Sequence, residues 1–137
     1  MTRSLRLLLI NYELPPIGGG GGRATLRLAQ EFARSGHETA ILTSSFGDFP
    51  REEERDGVRI RRIPVWRPYA DRCPPRHMLT FVASSLYHAP RFAREIQPDL
   101  VFAFFGIPCG PCALAIKQRL HIPYALSLRG SDVPRPE

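Results

Sequence analysis

Lysine is almost absent from this sequence: Lys117 is the only non-arginine among 19 basic residues. The formal charge of +6 is therefore carried by arginine and, with a pI near 9.9, favours anionic partners such as phosphates or acidic lipid, or else marks a solvated basic surface. Nucleic acid is not among the expected partners, because no basic run interleaved with aromatics, no zinc spacing and no RNP-like strand occurs. Cysteine is scarce and odd in number (Cys73, Cys109 and Cys112), which fits a reducing cytosol better than a disulfide scaffold. No apolar run reaches the roughly 18 to 20 residues of a membrane-spanning helix. Near the start, Asn11, Tyr12 and Glu13 close the first apolar stretch too early for a secretion signal, so it reads as a buried strand. His37, His77, His88 and His121 show no metal spacing and carry no expected catalytic role, and His37 reads as structural. A cytoplasmic location is expected.

What is present is enough for one domain with a real core: 137 residues, 43% hydrophobic and 23% charged. Leu5 to Asn11 is a continuous aliphatic run, as in a strand covered on both faces, and a Pro-Gly loop follows from Pro15 to Gly22. Apolar residues at helical spacing predict a helix from Arg23 to Ser35, stopped by Gly36, and His37 to Thr43 returns to a strand. Phe46 to Gly57 is charged and turn-rich. Val58 to Pro64 predicts a third strand nearer an edge, with Arg59, Arg61 and Arg62 facing out. After a proline-broken connector, Trp66 to Pro75, come a long helix from about Arg76 to Ile96 interrupted at Pro90, a buried run from Asp99 to Phe105, a short helix from Pro111 to Leu120 and a fifth strand from Ile122 to Leu128. This alternation predicts an α/β, Rossmann-like open parallel sheet with helices on both faces.

Ligands of such sheets sit beyond the carboxyl ends of the strands, where the order of connection reverses. That rule gathers Gly18 to Gly22, Ser44 and Ser45, Phe105 and Gly106, and Arg129 to Asp132 along one edge. Glycines let backbone N–H groups approach a diphosphate closely, and the helix behind them adds its positive end. Gly19, Gly21 and Ala24 fit the spacing G-x-G-x-x-A, but Tyr12 to Ile17 intervene before the turn and the second strand ends Thr43-Ser44-Ser45 without an acid, so a dinucleotide fingerprint is excluded.

Pro15-Pro16-Ile17-Gly18-Gly19-Gly20, then Leu28-Ala29, then Gly36-His37-Glu38 and a strand ending in Thr43, together resemble the N-terminal domain of GT-B glycosyltransferases of family GT4. A second block, Pro98-Asp99-Leu100-Val101, Phe105-Gly106 and Ile122-Pro123-Tyr124 through Leu128-Arg129-Gly130-Ser131-Asp132-Val133-Pro134, is similar to that family's fourth and fifth strands. The resemblance implies a retaining transfer of a sugar from a nucleotide-diphosphate donor to an acceptor hydroxyl of a glycan or glycolipid, without a metal or other cofactor. It implies that Gly18, Gly19, Gly20, Gly21, Phe105, Gly106, Gly130 and Ser131 line the substrate cleft, with Arg129 and Asp132 as catalytic candidates. Arg129 stands where many members carry histidine; it can donate hydrogen bonds but cannot act as a neutral base. Asp132 either orients a sugar hydroxyl or caps a helix. The resemblance further implies that residues 1–137 are a truncated first domain, that the donor-binding C-terminal domain is absent, and that this chain alone does not catalyse.

Three other readings stay open. Cys109-Gly110-Pro111-Cys112 spells the C-G-P-C of thiol-disulfide oxidoreductases, although no Trp precedes it. Met78, Leu79, Phe81, Val82, Leu86, Tyr87 and Phe92, with Arg72, Arg76, Arg91 and Arg94 around them, are either core or a basic amphipathic face for a peripheral contact at the inner face of the membrane. A non-catalytic binding remnant is the third alternative.

Overall fold

The computed structural model describes residues 3–70 and 73–128. Its elements are β1 (Arg6–Ile10), α1 (Gly20–Arg34), β2 (Glu38–Ser44), β3 (Glu52–Arg55), β4 (Val58–Ile63), α2 (Pro75–Ile96), β5 (Leu100–Phe104), α3 (Gly106–Leu120) and β6 (Tyr124–Ser127). The six strands lie in the order β3-β4-β2-β1-β5-β6, parallel except for the β3–β4 hairpin. This is the expected Rossmann-like α/β sheet. Its chain order reverses between β1 and β5, so their carboxyl ends form the switch point.

The aliphatic runs explain the centre. Leu7, Leu8, Leu9 and Ile10 are all buried, because β1 is covered on both faces. Leu8, Ile10, Leu42, Val101 and Ala103 face α2 and α3, where Phe81, Phe92, Cys109, Cys112 and Ile116 complete one core layer. Leu7, Leu9, Ile41, Val58 and Ile60 face the other way, onto Ala29 and Phe32 of α1. Alternate residues of a strand point to opposite faces, so each strand feeds both layers. His37 is structural, as expected: its Nδ1 accepts the Leu5 N–H at 3.0 Å.

Several boundaries differ from the sequence reading. β3 falls inside the stretch expected to be only charged and turn-rich. It forms because Glu52 lies opposite Arg61 and Glu54 opposite Arg59 across the hairpin, so its charges are matched at an exposed sheet edge. β4 is consequently second from the edge. Arg59 and Arg61 are partly exposed on the α2 side, but Arg62 does not face out: it is 2% exposed. Its guanidinium donates to the Pro50 carbonyl at 3.1 Å and lies 3.4 Å from Glu53, so the β3 hairpin and its approach cover it. α2 runs unbroken through Pro90, and Leu86, whose carbonyl the proline releases, lies on the exposed side within reach of solvent. α3 begins at Gly106 rather than Pro111, with a kink at Ile107 before a cis Ile107–Pro108 bond.

Candidate functional site

β1 is followed by Asn11, a polar residue with no exposed surface, and the chain then turns away as Tyr12-Glu13-Leu14 instead of entering a helix directly. Asn11 holds three segments together. Its N–H donates to the Leu42 carbonyl at 3.1 Å, its Nδ2 donates to Thr25 Oγ1 at 2.8 Å, and its Oδ1 accepts the Glu13 N–H at 3.1 Å. Thr25 passes the connection on by donating to the Gly21 carbonyl at 2.9 Å. The first turn of α1 is thereby fixed to the carboxyl end of β1.

Glu13 and Arg67 tie down the loop between them. Glu13 Oε2 accepts the Gly19 N–H at 3.3 Å, and its carboxylate lies 3.6 Å from the Arg67 guanidinium, whose side chain is only 1% exposed. Arg67 also donates to the carbonyls of Tyr69 at 3.0 Å, Tyr12 at 3.3 Å and Ala70 at 3.4 Å. The Ala70 carbonyl in turn accepts the Gly18 N–H at 2.7 Å. The buried cation is thus met by three loop carbonyls and the one nearby carboxylate, which is the condition under which burial of charge is tolerated. Tyr12 packs edge-on against Phe81 and Phe105, and burial together with the Glu13 charge raises its phenol well above the ordinary tyrosine range.

The glycine run divides into two parts. Gly18 has φ of +80°, and any side chain there would overlap the Glu13 carboxylate. Gly19 precedes the helix without a side-chain cap, and Gly20 to Gly22 are its first turn, three residues earlier than the sequence suggested. A Cβ on Gly21 would stand 2.8 Å from the Phe105 ring, so glycine is required where α1 passes over β5's end. Gly19 and Gly20 differ: nothing lies within 4 Å of a Cβ on either. First-turn N–H groups have no acceptor inside a helix, and no acidic residue occupies this turn. The result is an open, positively polarised helix end at the switch point, beside a hollow of about 170 Å³ lined by Pro15, Pro16, Ile17, Gly18, Gly19 and Arg23. A larger hollow, about 480 Å³, lies at the opposite end of β2, lined by Glu38, Glu52, Glu53, Glu54 and Arg59, where its acids oppose an anion.

Of the expected cleft residues, Gly18 to Gly21, Phe105 and Gly106 come together at this edge. Phe105 is a packing residue there, with φ of +73°, against Gly21 and Tyr12. Ser44 joins them by donating to the Tyr12 carbonyl at 2.7 Å. Arg129, Gly130, Ser131 and Asp132 lie outside the described residues. Asn11, Glu13, Thr25 and Arg67 were missed as site residues. The available signal was the abrupt change from aliphatic to polar at Asn11, where a strand end meets the switch point.

Cys109 and Cys112 do not form a redox pair. Both are fully buried inside α3 and neither is disulfide-bonded. Cys109, the first thiol of the motif and the one that would attack, has no exposed surface, so no substrate disulfide reaches it; burial also pushes the Cys112 thiol up to about 12.

Residues 19–137 match the model of the glycosyl transferase 4-like domain. The chain belongs to that family. Over 90 residues it is 32% identical to the putative teichuronic acid biosynthesis glycosyltransferase TuaC of Bacillus subtilis strain 168, covering 62% of this chain and 23% of that protein. The chain therefore spans about a quarter of that relative's length. Among solved structures, sucrose-phosphate synthase of Thermosynechococcus elongatus superposes with a TM-score of 0.74 at 14% identity, over 93% of this chain and 33% of that one. Glycyrrhiza uralensis UGT73P12, complexed with glycyrrhetinic acid 3-O-monoglucuronide, gives 0.60 at 14% identity over 94% and 29%. The C-terminal domain of PF1911 hydrogenase from Pyrococcus furiosus gives 0.61 at 15% identity over 93% and 94%, so these likenesses carry the fold alone.

Proposed function

We propose that this glycosyl transferase 4-like chain supplies the acceptor side and the glycine turn of a retaining transferase, which moves a sugar from a nucleotide-diphosphate donor to an acceptor hydroxyl. The observation that carries the reading is the open first turn of α1: Gly19 and Gly20 leave space for an anion, and although Glu13 takes the Gly19 N–H, no side chain among the described residues is bonded to the N–H groups of Gly20 to Gly22. As the bond between the anomeric carbon and the diphosphate breaks, negative charge grows on the leaving oxygen. Fixed N–H donors at a helix end stabilise that charge without reorganising. In this reading the donor's base is held by a second domain beyond these residues, no metal or other cofactor is needed, Arg129 donates to sugar or phosphate, and Asp132 orients a sugar hydroxyl. The match to TuaC favours an acceptor in polysaccharide synthesis, and the few, odd-numbered cysteines favour the cytoplasm. The 137 residues alone do not turn over.

Gly20→Asp tests the turn in the longest polypeptide that carries these residues and transfers sugar. The substitution meets open space and places a carboxylate where the helix dipole welcomes one, so stability is unchanged or rises by up to ~1 kcal/mol. Transfer falls by about a hundredfold, the scale of losing one oxyanion donor. Unchanged transfer contradicts the role given to the turn; turnover by the isolated 137 residues contradicts the division of labour; and a folded, full-length protein that never transfers sugar favours a binding remnant.

A further inference from the structure

α2 is apolar on its outside as well as its inside. Phe81, Ser85, Ala89, Phe92 and Ala93 are buried against the sheet and α3. On the opposite side Leu79 is 69% exposed, Tyr87 57% and Leu86 36%, with Ala83 exposed between them. Leu79, Ala83 and Leu86 follow one another at helical spacing and form a continuous stripe. A solvent-facing helix ordinarily carries polar residues there, as α1 does with Arg23, Arg27, Glu31 and Arg34.

The charges beside the stripe have one sign. Arg91 and Arg94 of α2 and Arg119 of α3 border a groove of about 320 Å³ with Leu86, Tyr87 and Pro90, and Arg91 stacks on the Tyr87 ring at 4.0 Å. α3 has no acidic residue, and the only one on α2 is Glu95, which Arg59 and Arg61 engage from β4 at 3.1 and 2.7 Å. Arg76, Arg91, Arg94 and Arg119 have no carboxylate partner among the described residues. Exposed leucines and a tyrosine flanked by unpaired arginines match the interfacial region of an anionic bilayer, where the apolar groups enter the acyl boundary and the guanidinium groups meet headgroup phosphates. No described helix is long and apolar enough to cross a membrane.

We propose that the outer face of α2, with Arg119 of α3, docks peripherally on an anionic lipid surface. Leu79 lies one turn from the start of α2, which follows the connector bearing Arg67. Arg94 and Arg119 lie near the far ends of α2 and α3, so the docked face runs along the helix layer opposite α1. The proposal does not depend on the transferase reading.

Vesicle co-sedimentation tests it. The chain pellets with vesicles of phosphatidylcholine containing phosphatidylglycerol at low salt, not with phosphatidylcholine alone, and less at high salt. Reversing Arg91, Arg94 and Arg119 to Glu lowers partitioning by at least about fivefold per residue. Replacing Leu79, Leu86 and Tyr87 by Ser lowers it by a further tenfold or more, while circular dichroism confirms the fold. Reversing Arg27 and Arg34 on α1 leaves it nearly unchanged, which separates the patch from the net charge. Equal loss in that α1 variant, or no retention at low salt, overturns the proposal. So does loss on charge reversal with none on the serine substitutions, which marks a polyanion site instead.

Discussion

Two groups of charged residues sit at opposite ends of the sheet, and they do different things. At the carboxyl ends, Glu13 and Arg67 are nearly buried and most of their hydrogen bonds go to loop backbone. Toward the β3–β4 edge, Arg59, Arg61, Glu52 and Glu95 bond to one another, with side chains 25 to 47% exposed. A network of partly exposed pairs is screened by water and contributes little. A buried pair that satisfies backbone groups cannot be opened cheaply, and it fixes the positions of the residues it holds. The first arrangement builds a site, and the second pins a hairpin and the end of α2 to a sheet edge.

Breaking the buried pair gives the largest expected effect. Arg67→Met leaves the nearly buried Glu13 carboxylate without its cation and removes a donor from three loop carbonyls, so urea unfolding should show a loss of about 3–5 kcal/mol. Gly21→Val ranks next: its side chain meets the Phe105 ring, and a cost of about 1–3 kcal/mol is expected from the same measurement. Glu95→Gln is the smallest, at no more than about 1 kcal/mol. Hydrogen bonds from Arg61 and then Arg59 hold the Glu95 carboxyl below its ordinary range, so its contribution is present at neutral pH and fades as pH falls through the lowered value. An Arg67 variant as mild as Glu95→Gln would erase the distinction between the two ends.

The thiols extend the comparison to alkaline pH. The Cys112 pKa rises from 9.0 to about 12, so the unfolded chain ionises first. Its contribution is complete below pH 9.0 and is lost as pH climbs toward about 12, at up to roughly 1.4 kcal/mol per unit, and Cys112→Ala should flatten that slope in pH-dependent unfolding. In the folded protein a thiol reagent should label Cys73, which is partly exposed, well before Cys109 or Cys112.

The sheet was legible because Leu7 to Ile10 and Leu100 to Phe104 are continuous apolar runs, and that pattern is local. β3 was not, because Glu52 to Arg55 becomes a strand only through charges on β4. The same limit applied to the site. The glycines announced themselves, but the Arg67 contact to Tyr12 joins residues 55 apart in sequence, and nothing near Arg67 signals it. The C-G-P-C motif misled for the converse reason, since four residues carry no information on burial. The stripe on α2 was read as core or surface, and the helix supplies both: Phe81 and Phe92 turn in, Leu79 and Tyr87 turn out.

The central claim is that the first turn of α1 meets a diphosphate. Titrating the chain with a nucleoside diphosphate while following backbone amide NMR shifts tests it most directly. The account expects the largest changes at Gly19 to Gly22, smaller ones at Glu13 and Thr25, and their loss in Gly20→Asp; shifts that cluster elsewhere, or survive that substitution, would contradict it.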